Sequence, residues 1–281
     1  MQALEIIVGV VNKRFLQSLY KKRKGRKGYG KVRIIRLLVF LQAEKITENK
    51  KAVRFLKKYP KIKKKLGFRE IPNRRSIRRW KRDYALILEQ VVTILGDKYS
   101  QMKKINYTAI DSAPLQDSKD PEARSGKSSR GWFKGFKLHI NCDDLAVPLR
   151  AKVTTGNVHD SKPAEELFVE SPVTLADAAY DSKKLREIAT EKKTHLIADE
   201  NLRRSCKKKE RPLILKKLRY IVEQSLSLLK DKTMKHTWHR VKGFAQKITY
   251  ALSAVILVQA LAIYTVAKTG FPELKIDEVM L

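Results

Sequence analysis

At 281 residues, 43% of them hydrophobic, the chain holds enough apolar material for one large core or two modest ones, which excludes wholesale disorder. Its 62 basic residues against 29 acidic ones leave a formal charge of +33, a self-repulsion best relieved by a polyanion, with nucleic acid the first candidate and an anionic membrane surface the second. Two cysteines, Cys142 and Cys206, exclude a disulfide framework, no Cys/His cluster has zinc spacing and no signal peptide is evident, so a reducing cytoplasm is expected.

The charge is concentrated early: residues 1–100 hold 29 basic and 7 acidic side chains, +22 of the total. Within them, residues 31–46 repeat apolar positions at helical spacing, and a second helix is expected over 49–59, stopped by Pro60. Pro72-Asn73 signals a turn, followed by one long helix over 74–95. Several short helices with Arg-rich faces suggest a DNA-binding region of helix-turn-helix kind; a bundle with a merely solvated basic surface gives the same pattern.

After residue 100 the texture changes. A strand is expected over 107–115, then a polar loop over 116–130. Two alternating runs, 136–142 and 147–154, joined by Asp143-Asp144, form a hairpin. A helix near 163–168, a strand over 173–179, a helix over 182–190 and a strand over 195–198 follow. Residues 205–211 make a basic loop, and helices over 213–229 and 246–267 close the chain. This order predicts an α/β fold, a mixed sheet flanked by helices, with domains over 1–100 and 101–281. The uncharged stretch 251–267 is 17 residues long, short for a bilayer span, and is read as a core helix rather than a membrane anchor.

The chain has no Gly-rich phosphate loop, no G-x-S-x-G elbow and no H-E-x-x-H, so chemistry is sought among carboxylates. Asp111 and Asp177 each sit in an apolar strand context, where an ionised Asp is costly unless a cation compensates. Polar residues are common at strand ends, so each taken alone is more readily read as structural. On the helix over 213–229, Arg219 and Glu223 lie at i and i+4, with Lys230 two turns further on.

Asp111, Asp177 and Arg219-x3-Glu223-x6-Lys230 together resemble the DDE signature of prokaryotic insertion-sequence transposases of groups four and five. The surrounding words agree: Ala109-Ile110-Asp111-Ser112, Gly131-Trp132-Phe133-Lys134-Gly135-Phe136-Lys137-Leu138-His139, the run from Thr155 to Ser161, Ala176-Asp177-Ala178-Ala179-Tyr180-Asp181-Ser182, and Ile71-Pro72-Asn73-Arg74-Arg75-Ser76. The strict group-four signature has a tyrosine three residues before the arginine, where this chain has Lys216.

The resemblance, over residues 30 to 265, implies a ribonuclease-H-like catalytic domain whose Asp111, Asp177 and Glu223 hold two magnesium or manganese ions. It implies binding of terminal inverted repeats and target DNA, a homodimer on that DNA, and no membrane partner. Arg219, Lys230, Trp132, Lys137, Lys207 and Lys208 are candidates for contacting DNA or supporting the carboxylates. Trp132 and Phe133 are either base-stacking or core residues, and His139 and His159 either metal-proximal or simply packed. Competing readings are a catalytically inactive DNA-binding relative, a membrane-associated protein anchored by 251–267, and a nuclease acting on RNA.

Overall fold

The computed structural model describes residues 2–19, 29–128, 131–199, 213–235 and 237–279, with 213–218 and 279 as backbone only. Two compact units divide the chain: Met1–Met102 with Asp231–Leu281, and Lys103–Lys230.

The first unit begins with α1 (Gln2–Val10), an apolar helix the sequence reading passed over, and α2 (Lys31–Ala43), almost wholly buried. In α3 (Asn49–Lys58) the basic residues face out and Ala52 and Leu56 in. Pro60 does not merely end it: Pro60 opens α4 (Pro60–Lys65) at the first helical turn, where its missing N–H costs nothing. Gly67, at φ +95°, then reverses the chain. The single helix expected over 74–95 is two, α5 (Arg74–Asp83) and α6 (Ala85–Met102). Hydrogen bonds pass through Tyr84, but its ψ of 2° breaks the helical path. The Asn73 side chain caps α5 by accepting from the Ser76 N–H at 2.8 Å.

The second unit is a six-stranded mixed sheet. Its strands are β1 (Thr108–Gln116), β2 (Arg124–Ser128), β3 (Gly131–Asp143), β4 (Pro148–Thr155), β5 (Val173–Ala176) and β6 (His195–Ala198). β3 runs antiparallel to β1, β2 and β4, whereas β5 is parallel to β1 and β6 to β5. The turn between β3 and β4 is built by Asp143, whose side chain accepts from the Leu145 and Val147 N–H groups. The loop expected over 116–130 instead contains β2, whose RSGKS sequence lacks β-branched and aromatic residues and takes its pairing from the start of β3.

Helices cover both faces of this sheet. On one, α7 (Ser161–Ala164) and α8 (Lys183–Glu191) lie over Ile110, Ala176 and Leu196 in a cluster with Leu167, Phe168 and Tyr180. On the other lies α9 (Leu213–Ser227), which packs on β1, β3 and β5 through Val222, Ser225 and Leu226.

Beyond a turn of π-helix, Leu228–Thr233, the chain rejoins the first unit. The sequence had assigned everything after residue 100 to one domain; the structure corrects this. α10 (Phe244–Thr269) is apolar on every side and needs helices all round it, supplied by α1, α2, α5 and α6. It is long and apolar enough to cross a membrane, but 83% of its most apolar window is buried inside the unit. Gln259 is satisfied there by donating to the Val92 carbonyl at 2.9 Å.

Near the hairpin entry, backbones approach so closely that only glycine fits. A Cβ on Gly126 would lie 2.0 Å from the Gly156 carbonyl oxygen, and one on Gly135 2.3 Å from that of Leu115. Gly126→Ala is therefore expected to cost about 2 kcal/mol or more. Gly9→Ala, in an exposed helical position with nothing within 4 Å, is expected to gain up to about 1 kcal/mol. Urea midpoints of the two variants check both signs.

Candidate active site

β1 carries Asp111 in the middle of the sheet, paired with Ile140 of β3 on one side. On the other side Ala109 aligns with Leu175, and two residues further along each strand are Asp111 and Asp177. Ala176 aligns with Ala198 on β6, and the next residues are Asp177 and Asp199. By this register three carboxylates come level, Asp111 inside β1 and Asp177 and Asp199 just past the C-terminal ends of β5 and β6, on parallel strands whose neighbours are spaced by about 4.8 Å. Side chains alternate along a strand, and Ile110, Ala176 and Leu196 face α8. Asp111, Asp177 and Asp199 therefore face α9.

The local sequence fixes each of them. The Asp111 carboxylate accepts from the Ser112 N–H at 2.7 Å, and Asp177 accepts from the Ala179 N–H at 2.8 Å, capping the short 3-10 turn Ala178–Tyr180. Asp199 is buried and pairs with Arg219 of α9, Oδ2 to Nη1 3.1 Å. The second Arg219 nitrogen, Nη2, stands 3.9 Å from Oδ2 of Asp111.

This environment leaves Asp111 short of positive charge. Burial pushes its carboxyl up from 3.8 to about 7; the negative charges of Asp177 and Asp160 push the same way, against the Ser112 N–H and Arg219. Tyr180, fully buried beneath the carboxylates, is pushed well above its usual range by burial, with Asp111, Asp160 and Asp177 adding to the effect.

Glu223 is not brought to this group. It lies one turn beyond Arg219, about 40° further round α9, and is exposed. Among the described residues no three of His, Cys, Asp and Glu stand close enough to hold an ion. Asp111 and Asp177 nevertheless fit a hard divalent cation: they offer oxygen donors at one level, and Asp111, whose pKa is raised chiefly by burial and further by neighbouring carboxylates, would gain from a cation's charge.

The remaining candidates separate clearly. Lys137 is buried, its ammonium donating to the Val158 carbonyl (3.0 Å) and to Asp160 (2.9 Å), so it holds the loop before α7 and does not reach outward to DNA. His139 is buried in the same place, bonded to Thr154 at 2.8 Å and pushed down to about 4 mainly by burial, which keeps it neutral at pH 7. His159 is exposed and bonded to Ser161. Trp132 is 77% exposed while Phe133 is buried, the alternation of one strand dividing the pair. Lys230 sits half-buried in the π-helical turn, which alters the face expected from simple helical spacing after Glu223. Lys207 and Lys208, with the rest of the basic loop, lie outside the described residues. Asp199 escaped the sequence reading, although a signal was there: it follows the strand 195–198 just as Asp177 follows 173–176.

No curated protein matches the chain. Among solved structures, a cryo-EM structure of a piggyBac transposase synaptic complex with hairpin DNA is similar over 100% of this chain and 76% of that one, at 12% identity and a TM-score of 0.47. Residues 118–242 match the family model of the transposase DDE domain, a stretch that starts just beyond Asp111 and takes in Asp177, Asp199, Arg219 and Glu223. The chain thus contains, over somewhat less than half its length, a segment similar to a transposase DDE domain.

Proposed function

We propose that the chain is a DNA transposase of the DDE type, binding terminal inverted repeats and catalysing metal-dependent strand cleavage and strand transfer. The observation that carries this reading is the level placement of Asp111 and Asp177 on neighbouring strands facing α9, beside a segment similar to a transposase DDE domain. A ribonuclease-H-like description of the sheet unit is supported by the antiparallel run β1–β3–β4, continued in parallel by β5 and β6 with helices on both faces.

Asp111, Asp177 and Glu223 are the residues proposed to hold two magnesium or manganese ions, which when bound activate the attacking oxygen and stabilise the leaving one. Asp111 is fixed at the sheet centre and Asp177 is oriented by the Ala179 N–H, while Glu223, exposed one turn beyond Arg219 on α9, would have to swing inward to join them. Arg219 offers its guanidinium to a phosphodiester beside Asp111. Exposed Trp132, with Lys127 directly across the strand pair and Lys134 two residues on, presents a ring flanked by ammonium groups, a surface suited to stacking on an unpaired base. In the first unit, α5 presents a row of arginines suited to the DNA backbone. Two chains are proposed to act together, one at each end of the mobile DNA.

Incubating the full-length protein with a duplex ending in the flanking repeat tests the reading. Nicking is expected with magnesium or manganese and is expected to fall to background in excess chelator. Cleavage of an RNA–DNA hybrid in preference to duplex DNA would move the substrate to RNA, and metal-independent or absent nicking would overturn the assignment.

A further inference from the structure

Asp199 stands level with Asp111 and Asp177, yet it holds a cation from its own chain. Its side chain is 3% exposed and fixes Nη1 of Arg219 at 3.1 Å, whereas Nη2 remains 3.9 Å from Asp111, beyond hydrogen-bond reach. A buried carboxylate stays charged only against a close hydrogen-bonded cation, and a guanidinium held at one nitrogen has the direction of its other donors set. The Arg219 Nε–H is buried and finds no acceptor among the described residues. A planar fork held at one end, with donors remaining along its other edges, suits the oxygens of a phosphate.

We propose that Asp199 is a positioning residue for DNA cleavage: it clamps Arg219 so that the remaining guanidinium N–H groups meet the phosphodiester beside Asp111, and it acts only through Arg219. This rests on the reading of the site as DNA-cleaving. Asp199 is assigned no metal in it, although its place in the row makes that the rival role.

The test uses the full-length protein with Asp199→Asn, Arg219→Gln and the two combined. Three quantities are measured: single-turnover nicking, affinity for the same duplex in chelator, and affinity for manganese alone. Each single change is expected to slow nicking roughly 10- to 100-fold, the value of one charge-assisted hydrogen bond, with duplex affinity altered by less than about 3-fold. The combined variant should be no slower than the worse single one, because the second change removes nothing further. Manganese affinity should be unchanged in Asp199→Asn and lost in Asp111→Asn. Should Asp199→Asn melt early, adding it to Arg219→Gln still decides, since that pair removes both charges of the Asp199–Arg219 ion pair together. Losses that multiply in the combined variant, or manganese affinity weakened in Asp199→Asn as in Asp111→Asn, overturn the clamp and make Asp199 a ligand. A wild-type protein that nicks no DNA removes the functional reading, and the clamp with it.

Discussion

Asp111→Asn is expected to reduce strand cleavage by about 1,000-fold or more while making the protein harder to unfold above pH 7. The two effects share one cause. Burial raises the folded carboxyl from 3.8 to about 7, so between those values the folded chain binds a proton that the unfolded chain has released. Stability from this group is full below about 3.8 and is lost as pH rises through about 7. Above that pH the ionised carboxylate costs at most about 4 kcal/mol, which asparagine avoids. The advantage of the variant in urea should therefore grow between pH 5 and pH 8. Nicking by the wild type should rise over the same range, since the ionised form is the one that meets a cation. Urea melts at several pH values decide: parallel pH profiles for the two proteins would show that Asp111 is not held in this way.

Removing arginines from α5 should weaken DNA binding without touching the chemistry. Arg74, Arg75, Arg78, Arg79 and Arg82 are exposed and fall within an arc of about 140° around the helix, while Ile77 and Trp80 are buried on the opposite side. Trp80 is anchored by edge contact with Tyr29 (ring centroids 5.1 Å apart) and by Phe68, which holds the basic face outward. Changing Arg75, Arg78 and Arg79 together to alanine is expected to cost roughly 100-fold in affinity at moderate salt and to lower the slope of log affinity against log salt by about 2 to 3. A triple variant that binds with wild-type affinity and slope would move the DNA surface elsewhere.

Much of this architecture was legible from periodicity. The strand expected over 195–198 has those bounds, that over 107–115 is displaced by one residue, and the hairpin turns at Asp143 as its turn chemistry required. Such signals are local, and so were the failures. Nothing in RSGKS says strand; its pairing is given by residues 131–135, which a period count over 124–128 does not see. The break at Tyr84 is a single backbone angle inside a stretch whose apolar spacing continues. At the site, Asp111 and Asp177 were legible because each interrupts an apolar strand. Their level placement, and that of Asp199, depends on strand register, which one strand's sequence does not encode. Glu223 was marked by helical spacing from Arg219, but spacing along α9 does not say how far its carboxylate stands from the sheet.

That α10 forms the centre of the first unit has a consequence for biosynthesis. Helices α1, α2, α5 and α6 leave the ribosome long before α10, the last long helix of these 281 residues, is made. The roughly 140 residues between α6 and α10 take on the order of 7 to 30 seconds to translate. Through that interval the apolar sides of the early helices have no central partner, so the nascent basic segment is expected to stay unfinished and to need chaperones until α10 emerges. A premature stop anywhere before Phe244 leaves it in that state permanently.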